Sequence, residues 1–196
     1  MNLYTFGKAL VGIVLKPMYR FEVIGTEKFP KEGGILLCTN HINALDPPVV
    51  GMSAPRPVHF MAKEELFNAP VLGKILPKVN AFPVKRGMSD REALRTALKK
   101  LKSGEVVGLF PEGTRSTDGV LKKGLSGAGF FALRGDADVV PCAIIGPYRR
   151  FKKVQVVFGE PILMAPYRER KASAEEVTEV IMTNIQEILD EYHNNK

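Results

Sequence analysis

Seven short apolar runs, often β-branched, recur along the chain at residues 21–24, 34–39, 58–61, 81–84, 106–110, 139–145 and 154–158. Several are apolar at nearly every position, which is the pattern of strands buried on both faces. The stretches between them repeat apolar residues at three- and four-residue intervals, as amphipathic helices do. Strand and helix therefore interleave. That alternation predicts a single α/β domain, with a mostly parallel central sheet flanked by helices.

Two helices have readable ends. Ser89 with Glu92 spells a capping box ahead of the stripe Leu94, Leu98 and Leu101. Lys99, Lys100 and Lys102 then gather before Gly104, where the helix dipole favours cations. Ser173 with Glu176 opens a last helix in the same way, and Val177, Ile181, Ile185, Ile188 and Tyr192 follow on one side. Both stripes are expected to face the core.

Residues 1–19 place Leu3, Phe6, Leu10, Val11, Val14, Leu15 and Met18 along one side of a helix, with Lys8 and Lys16 among them. The segment lacks the early basic region and cleavage pattern of a secretory signal. Two readings stand: an amphipathic membrane-surface anchor, or a terminal helix packed on the domain. Residues 20–196 form the expected domain. Nowhere does the sequence hold the apolar run of about 18 residues that a bilayer span demands.

Composition narrows the function classes. With 196 residues and 45% hydrophobic content there is material for one core. A net charge of +7 favours anionic partners: a lipid surface, phosphorylated small molecules or nucleic acid. The chain has no Trp and its other aromatics sit mostly inside apolar runs, so nucleic acid is not expected. Cys38 and Cys142 lie in strand-like stretches and make no disulfide framework, which points to a reducing, cytoplasmic setting. No Cys or His cluster has metal spacing, so neither metal nor cofactor is expected.

Two glycine motifs are decoys. Residues 127–132 approximate a dinucleotide fingerprint, but no clear strand precedes them and the ribose-binding acid is missing. Residues 124–128 nearly spell a nucleophile elbow, again without its strand, and Ser126 reads as a helix cap. His59 sits in an apolar strand pattern and His193 at a polar terminus; neither reads as a base or a ligand.

Three stretches can carry chemistry. In the first, His41 follows the apolar run 35–39, at a strand end where open α/β sheets build their sites, and Asp46 lies five residues on. A histidine titrates near neutrality, and a neighbouring carboxylate fixes its tautomer and stabilises its cation. Asp46 followed by Pro47 is also how a helix begins, with the aspartate as N-cap; one carboxylate can serve both roles. In the second stretch, Glu112, Gly113, Thr114, Arg115 and Ser116 also follow a strand. Glycine there allows close approach, hydroxyls can donate and arginine can fork onto phosphate, although an internal Glu112–Arg115 pair is the bland alternative. In the third, Lys85, Arg86 and Gly87 precede a helix N-terminus, which favours anions. Strand ends of a parallel sheet share an edge, so all three stretches are expected to line one pocket.

Taken in order, His41 with Asp46, Lys85-Arg86-Gly87 and 110–116 resemble the first three signature blocks of the glycerolipid acyltransferase family, and Val140-Pro141 resembles the fourth. The resemblance covers residues 19–158, and within the family it is nearest to bacterial 1-acyl-glycerol-3-phosphate acyltransferases. It implies that family's glycerol-3-phosphate-acyltransferase-like fold. It also implies transfer of an acyl group from acyl-coenzyme A or acyl carrier protein to the free hydroxyl of a lysophospholipid. His41 would be the base and Asp46 its orienting partner. Lys85, Arg86, Gly87, Glu112, Gly113, Thr114 and Arg115 would hold the acceptor's phosphate and glycerol, and Val140 and Pro141 would border the acyl chain or donor. Acceptors such as glycerol 3-phosphate, other lysophospholipids and lyso-aminolipids stay open, because the blocks are shared. A non-catalytic basic membrane-binding module is the rival from another class. The expected location is the cytoplasmic face of the cell membrane, with Lys122-Lys123, Arg149-Arg150, Lys152-Lys153 and residues 168–171 available to meet anionic lipid.

Overall fold

The computed structural model describes residues 17–85 and 90–194, the last two by backbone alone, together with Lys8, Gly12, Ile13 and Leu15. Each apolar run forms a strand: β1 Arg20–Ile24, β2 Gly34–Thr39, β3 Val58–Lys63, β4 Ala81–Val84, β5 Val106–Leu109, β6 Ala137–Ile145 and β7 Lys153–Phe158. They build one seven-stranded sheet in the order β1-β7-β6-β2-β5-β3-β4. Every neighbouring pair is parallel except β6 with β7. Because β7 returns antiparallel and β1 runs with it, the edge where β2 to β6 end is the edge where β1 and β7 begin. That edge collects the segments after β2, β4 and β5, the β6–β7 turn and the entry to β1.

Alternation along the strands splits the core into two layers. In β2, Leu36 and Cys38 face helices α2 (Arg91–Lys102), α3 (Gly127–Arg134) and α4 (Ala174–Asn194), whereas Ile35 and Leu37 face helix α1 (Asp46–Ser53). All four are fully or almost fully buried. The same parity puts Cys38 and Cys142 on opposite faces of the sheet, so a disulfide between them is geometrically closed. Burial pushes both thiols up, that of Cys142 to about 12, which keeps them protonated and inert.

Helix details depart from the sequence pattern at the caps and in one buried stripe. Ser89 lies outside the described residues, and the N-cap of α2 is Asp90, whose carboxylate accepts from the N–H groups of Glu92 and Ala93. The buried stripe of α2 is Ala93, Ala97 and Leu101, and Leu94 and Leu98 are half-buried beside it. Ser173 does cap α4 through the Glu176 N–H, but the Glu176 carboxylate pairs with Arg170 instead of closing the box. Val177, Ile181, Ile185 and also Leu189 are buried along α4. Ser126 occupies the N-cap position of α3 without a side-chain cap bond.

The described part of the N-terminal segment touches the domain. Leu15 is buried in the layer under α1, and Lys8 Nζ donates to the carbonyl of Ala54 at 2.7 Å. Ile13 is 70% exposed. Among the described residues no helix is long and apolar enough to cross a membrane.

Candidate active site

The chain leaves β2 through Asn40, whose buried amide makes two hydrogen bonds to β6: its Nδ2 donates to the carbonyl of Ile144 at 3.0 Å and its Oδ1 accepts from the Ile144 N–H at 2.7 Å. This fixes the start of the loop that follows. His41 comes next, and its backbone is held on both sides. Its N–H donates to Glu112 Oε1 at 2.8 Å, and its carbonyl accepts from the Ser116 N–H at 2.7 Å.

His41 Nδ1 lies 2.8 Å from Asp46 Oδ2. The same oxygen accepts from the N–H groups of Ile42 and Asn43, each at 2.7 Å, and Asp46 Oδ1 accepts from the Tyr148 hydroxyl at 2.8 Å. Asp46 has no exposed surface, whereas the His41 side chain keeps 14%. A carboxylate so surrounded by donors is an acceptor for the Nδ1 proton, so the neutral ring carries its lone pair on Nε2. Asp46 does not cap its own helix as expected. Leu45 is the N-cap, and the carboxylate turns back into the preceding loop to gather the N–H groups there.

The ring of His41 stacks on Phe110 at 4.0 Å between centroids and an interplanar angle of 24°, and Phe110 stacks on Phe60 at 5.9 Å. Phe110 was expected to end β5, but the strand stops at Leu109, which frees Phe110 to form the wall of the site.

The 110–126 loop is built around Glu112. This residue is 4% exposed, and both carboxylate oxygens are spent on backbone N–H groups, Oε1 on His41 and Oε2 on Lys122 at 2.9 Å. Glu112 thus braces the backbone of His41 and forms no ion pair with Arg115. Gly113 adopts φ 67°, the left-handed region, and a Cβ there would meet Leu125 at 2.6 Å. Thr114 and Arg115 are exposed beside it, while Ser116 is buried with its hydroxyl donating to Asp118 Oδ1 at 2.7 Å. The Ser116 hydroxyl is therefore committed within the loop rather than offered to a ligand.

Lys85 stands at the same edge after β4, exposed, with its Nζ 3.7 Å from Glu64 Oε1. Arg86 and Gly87 lie outside the described residues. Val140 and Pro141 are buried inside β6, Val140 with no exposed surface. Val140 packs in the core layer under α1, and β6 itself lies between β2 and β7. An apolar pocket of about 370 Å³ lies instead on the other side of the histidine loop, where Ala44, Pro47 and Met52 meet Phe60, Leu72 and Ile75. No group of acidic, His or Cys side chains with metal-binding geometry occurs among the described residues.

What the geometry offers is a partly exposed histidine with a buried carboxylate behind it, basic groups at the rim and an apolar recess alongside. A family model described as acyltransferase matches residues 20–145. The chain is 34% identical to a 1-acyl-sn-glycerol-3-phosphate acyltransferase of Bacillus subtilis, over 95% of this chain and 96% of that protein. It is 30% identical to the chloroplastic 1-acyl-sn-glycerol-3-phosphate acyltransferase LPAT1 of Arabidopsis thaliana over 73% of this chain, and spans only 41% of that longer protein. The crystal structure of the 1-acyl-sn-glycerophosphate (LPA) acyltransferase PlsC from Thermotoga maritima superposes with a TM-score of 0.75, over 96% of this chain and 78% of that one. At 24% identity the likeness is one of fold.

Proposed function

The chain belongs to the acyltransferase family, and from that premise we propose that it moves a fatty acyl group from an acyl thioester to the free hydroxyl of 1-acyl-glycerol-3-phosphate, giving phosphatidic acid. The observation that carries this reading is the 2.8 Å contact between His41 Nδ1 and the buried Asp46 carboxylate. It leaves Nε2 as the basic nitrogen and puts a fixed negative charge behind it.

In the reaction, His41 Nε2 takes the proton of the acceptor hydroxyl as its oxygen attacks the thioester carbonyl. The tetrahedral adduct collapses by breaking the carbon–sulfur bond. The leaving thiolate then takes the proton from the His41 imidazolium, which returns the base to its neutral form. No acyl-enzyme is needed, since a thioester is already activated, and the two buried cysteines are in no position to form one. The donor is acyl-coenzyme A or acyl carrier protein; the chemistry at His41 is the same for both.

Arg115 and Lys85, joined by Arg86 and Gly87 on the sequence pattern, hold the acceptor's phosphate, and Gly113 and Thr114 line its glycerol. Binding energy at the phosphate is spent on placing the hydroxyl beside His41. Glu112 acts from behind, by holding the His41 backbone. The apolar pocket beside Pro47 and Phe60 suits an acyl chain, while the fourth-block residues Val140 and Pro141 are buried within β6. Its rim carries exposed Leu66, Val71, Leu72 and Ile75 with Lys74 and Lys78 nearby, which suits peripheral contact with the cytoplasmic face of an anionic membrane. The amphipathic sequence pattern of residues 1–19 suits the same contact.

The test is acyl transfer by purified protein, with labelled acyl-coenzyme A and acyl carrier protein donors against a panel of lysophospholipids, glycerol 3-phosphate and lyso-aminolipids. Product from 1-acyl-glycerol-3-phosphate that disappears in His41→Ala supports the reading. Transfer only to another acceptor would reassign the substrate, and product in His41→Ala would remove the mechanism.

A further inference from the structure

Asp46 receives four hydrogen bonds, and they are unevenly placed. Three N–H donors, from His41 Nδ1, Ile42 and Asn43, converge on Oδ2. On Oδ1 the donor is the phenol of Tyr148, at 2.8 Å and 102 residues away in sequence. The two backbone donors belong to the histidine loop itself and move with it. Tyr148 comes from outside that loop: it sits in the turn between β6 and β7, just after the cis Gly146–Pro147 peptide. Its ring is held edge-on by Tyr19 at 5.6 Å and 85°.

We infer that Tyr148 is a positioning residue for acyl transfer: its O–H ties the Asp46 carboxylate to the far side of the sheet edge and sets how strongly that carboxylate stabilises the His41 imidazolium. The inference rests on His41 being the base. A buried carboxylate with a donor on one oxygen only could rotate about its Cβ–Cγ bond and release Nδ1. The phenol blocks that rotation by occupying the second oxygen.

The phenol also tunes charge. The titratable groups facing it are Asp46, Tyr19 and Cys142, and burial followed by the Asp46 charge holds its proton well above the usual tyrosine range. Tyr148 is therefore a neutral donor at every working pH. A hydrogen bond to a carboxylate disperses its charge and weakens its pull on a neighbouring cation. Removing the donor concentrates the charge on Asp46, and the His41 imidazolium then becomes easier to form. The sign follows: without the hydroxyl, His41 stays protonated to higher pH.

Tyr148→Phe keeps the ring and its contact with Tyr19 while deleting the O–H. The expected result is a kcat about 10-fold lower with an unchanged acceptor KM. The acid limb of the pH–rate profile should move up by about 0.5 pH unit. The His41 imidazole, followed by NMR in the resting protein, should titrate higher by the same amount. The NMR arm needs no turnover, so it stands apart from the choice of acceptor; failure of the base assignment itself would appear as an active His41→Ala protein. A lower kcat with an unmoved His41 titration would reduce Tyr148 to packing and overturn the inference, as would wild-type kcat with an unmoved titration. Should Tyr148→Phe not fold, 3-fluorotyrosine introduced at Tyr148 keeps the hydroxyl and makes it a stronger donor. The His41 titration should then move down, and no movement would overturn the inference.

Discussion

Gly108 stands opposite Phe60 in the β3–β5 register, so close that a Cβ on Gly108 would lie 2.3 Å from the Phe60 ring. Phe60 stacks on Phe110, and Phe110 on His41, so a glycine inside a strand supports the His41 ring through two aromatic rings. A larger residue at Gly108 cannot be accepted without moving that stack. Glycine in a strand interior commonly marks such a close approach.

Gly108→Ala should therefore affect stability and turnover together. Overpacking of this kind costs about 1–3 kcal/mol, which in a chain this long lowers Tm by about 2–12 °C. Displacing Phe60 tilts Phe110 and with it the His41 ring, so kcat should fall in the fraction that remains folded. Thermal melts and active-site-normalised kinetics on the same preparation would check both. An unchanged Tm with unchanged kcat would show that Phe60 turns aside freely and that the stack does not position the base.

The His41–Asp46 pair should behave as one unit. His41→Ala removes the base and should lower kcat by roughly 10²–10⁴. Asp46→Asn should cost a similar factor, because a single amide oxygen cannot serve both the Tyr148 hydroxyl and the three N–H donors that now share the carboxylate. The double variant should be no slower than His41→Ala alone, since removing either member already disables the other. Additive losses in a double-mutant cycle would mean that Asp46 acts on the reaction independently of His41.

The fold was legible because its signal is collective. Seven apolar runs with helical spacing between them leave few arrangements other than a covered parallel sheet, and each run became a strand. The placement of His41, Asp46 and Arg115 at one edge was legible too, since each follows a strand that ends there. What the pattern could not show is where a side chain is spent. Glu112 and Ser116 look like ligand contacts in sequence, yet both face inward to hold the loop. Val140 and Pro141 are set in the middle of β6, where apolar residues are core regardless of any motif. Tyr148 and Phe110 carried no signal of their own, because a lone aromatic beside a strand end reads as packing until the partner 102 or 69 residues away is known. Asp90 lost to Ser89 as the expected cap only because both neighbours suit that role.

Arg115 offers a cleaner separation of binding from chemistry. It is exposed next to Gly113, and Lys122 Nζ steadies its carbonyl at 3.0 Å. Arg115→Ala should raise the KM for a phosphate-bearing acceptor by about 10- to 100-fold, the worth of a charge-assisted hydrogen bond, with the donor KM unchanged. Stability should stay within about 0.5 kcal/mol, as for surface positions generally. Arg115→Lys should recover only part of the affinity, because an ammonium cannot fork onto two oxygens. An unchanged acceptor KM in Arg115→Ala would place the phosphate elsewhere.

His59 should govern part of the acid stability without touching the reaction. It lies near the start of β3, at the opposite end of the sheet from His41, with Nε2 3.1 Å from Glu105 Oε2 and Nδ1 3.2 Å from the carbonyl of Val106. Burial, followed by the nearby Lys100, lowers its pKa below the ordinary histidine value, and the opposing pull of Glu105 and Val106 does not offset this. The folded chain then binds the proton less readily than the unfolded chain does. Stability contributed by neutral His59 is complete above about pH 6.5 and is lost as pH falls from there through the lowered folded-state value. Urea midpoints measured from pH 7.5 down to pH 5 should fall more steeply for the wild type than for His59→Gln, which has no proton to take up. Turnover of the folded variant at pH 7.5 should stay near wild type, because the ring partners of His59 are Glu105 and Val106, at the start of β5 and away from His41. Parallel midpoint curves for the two proteins would show that His59 carries its proton equally in both states, and would remove it from the acid response.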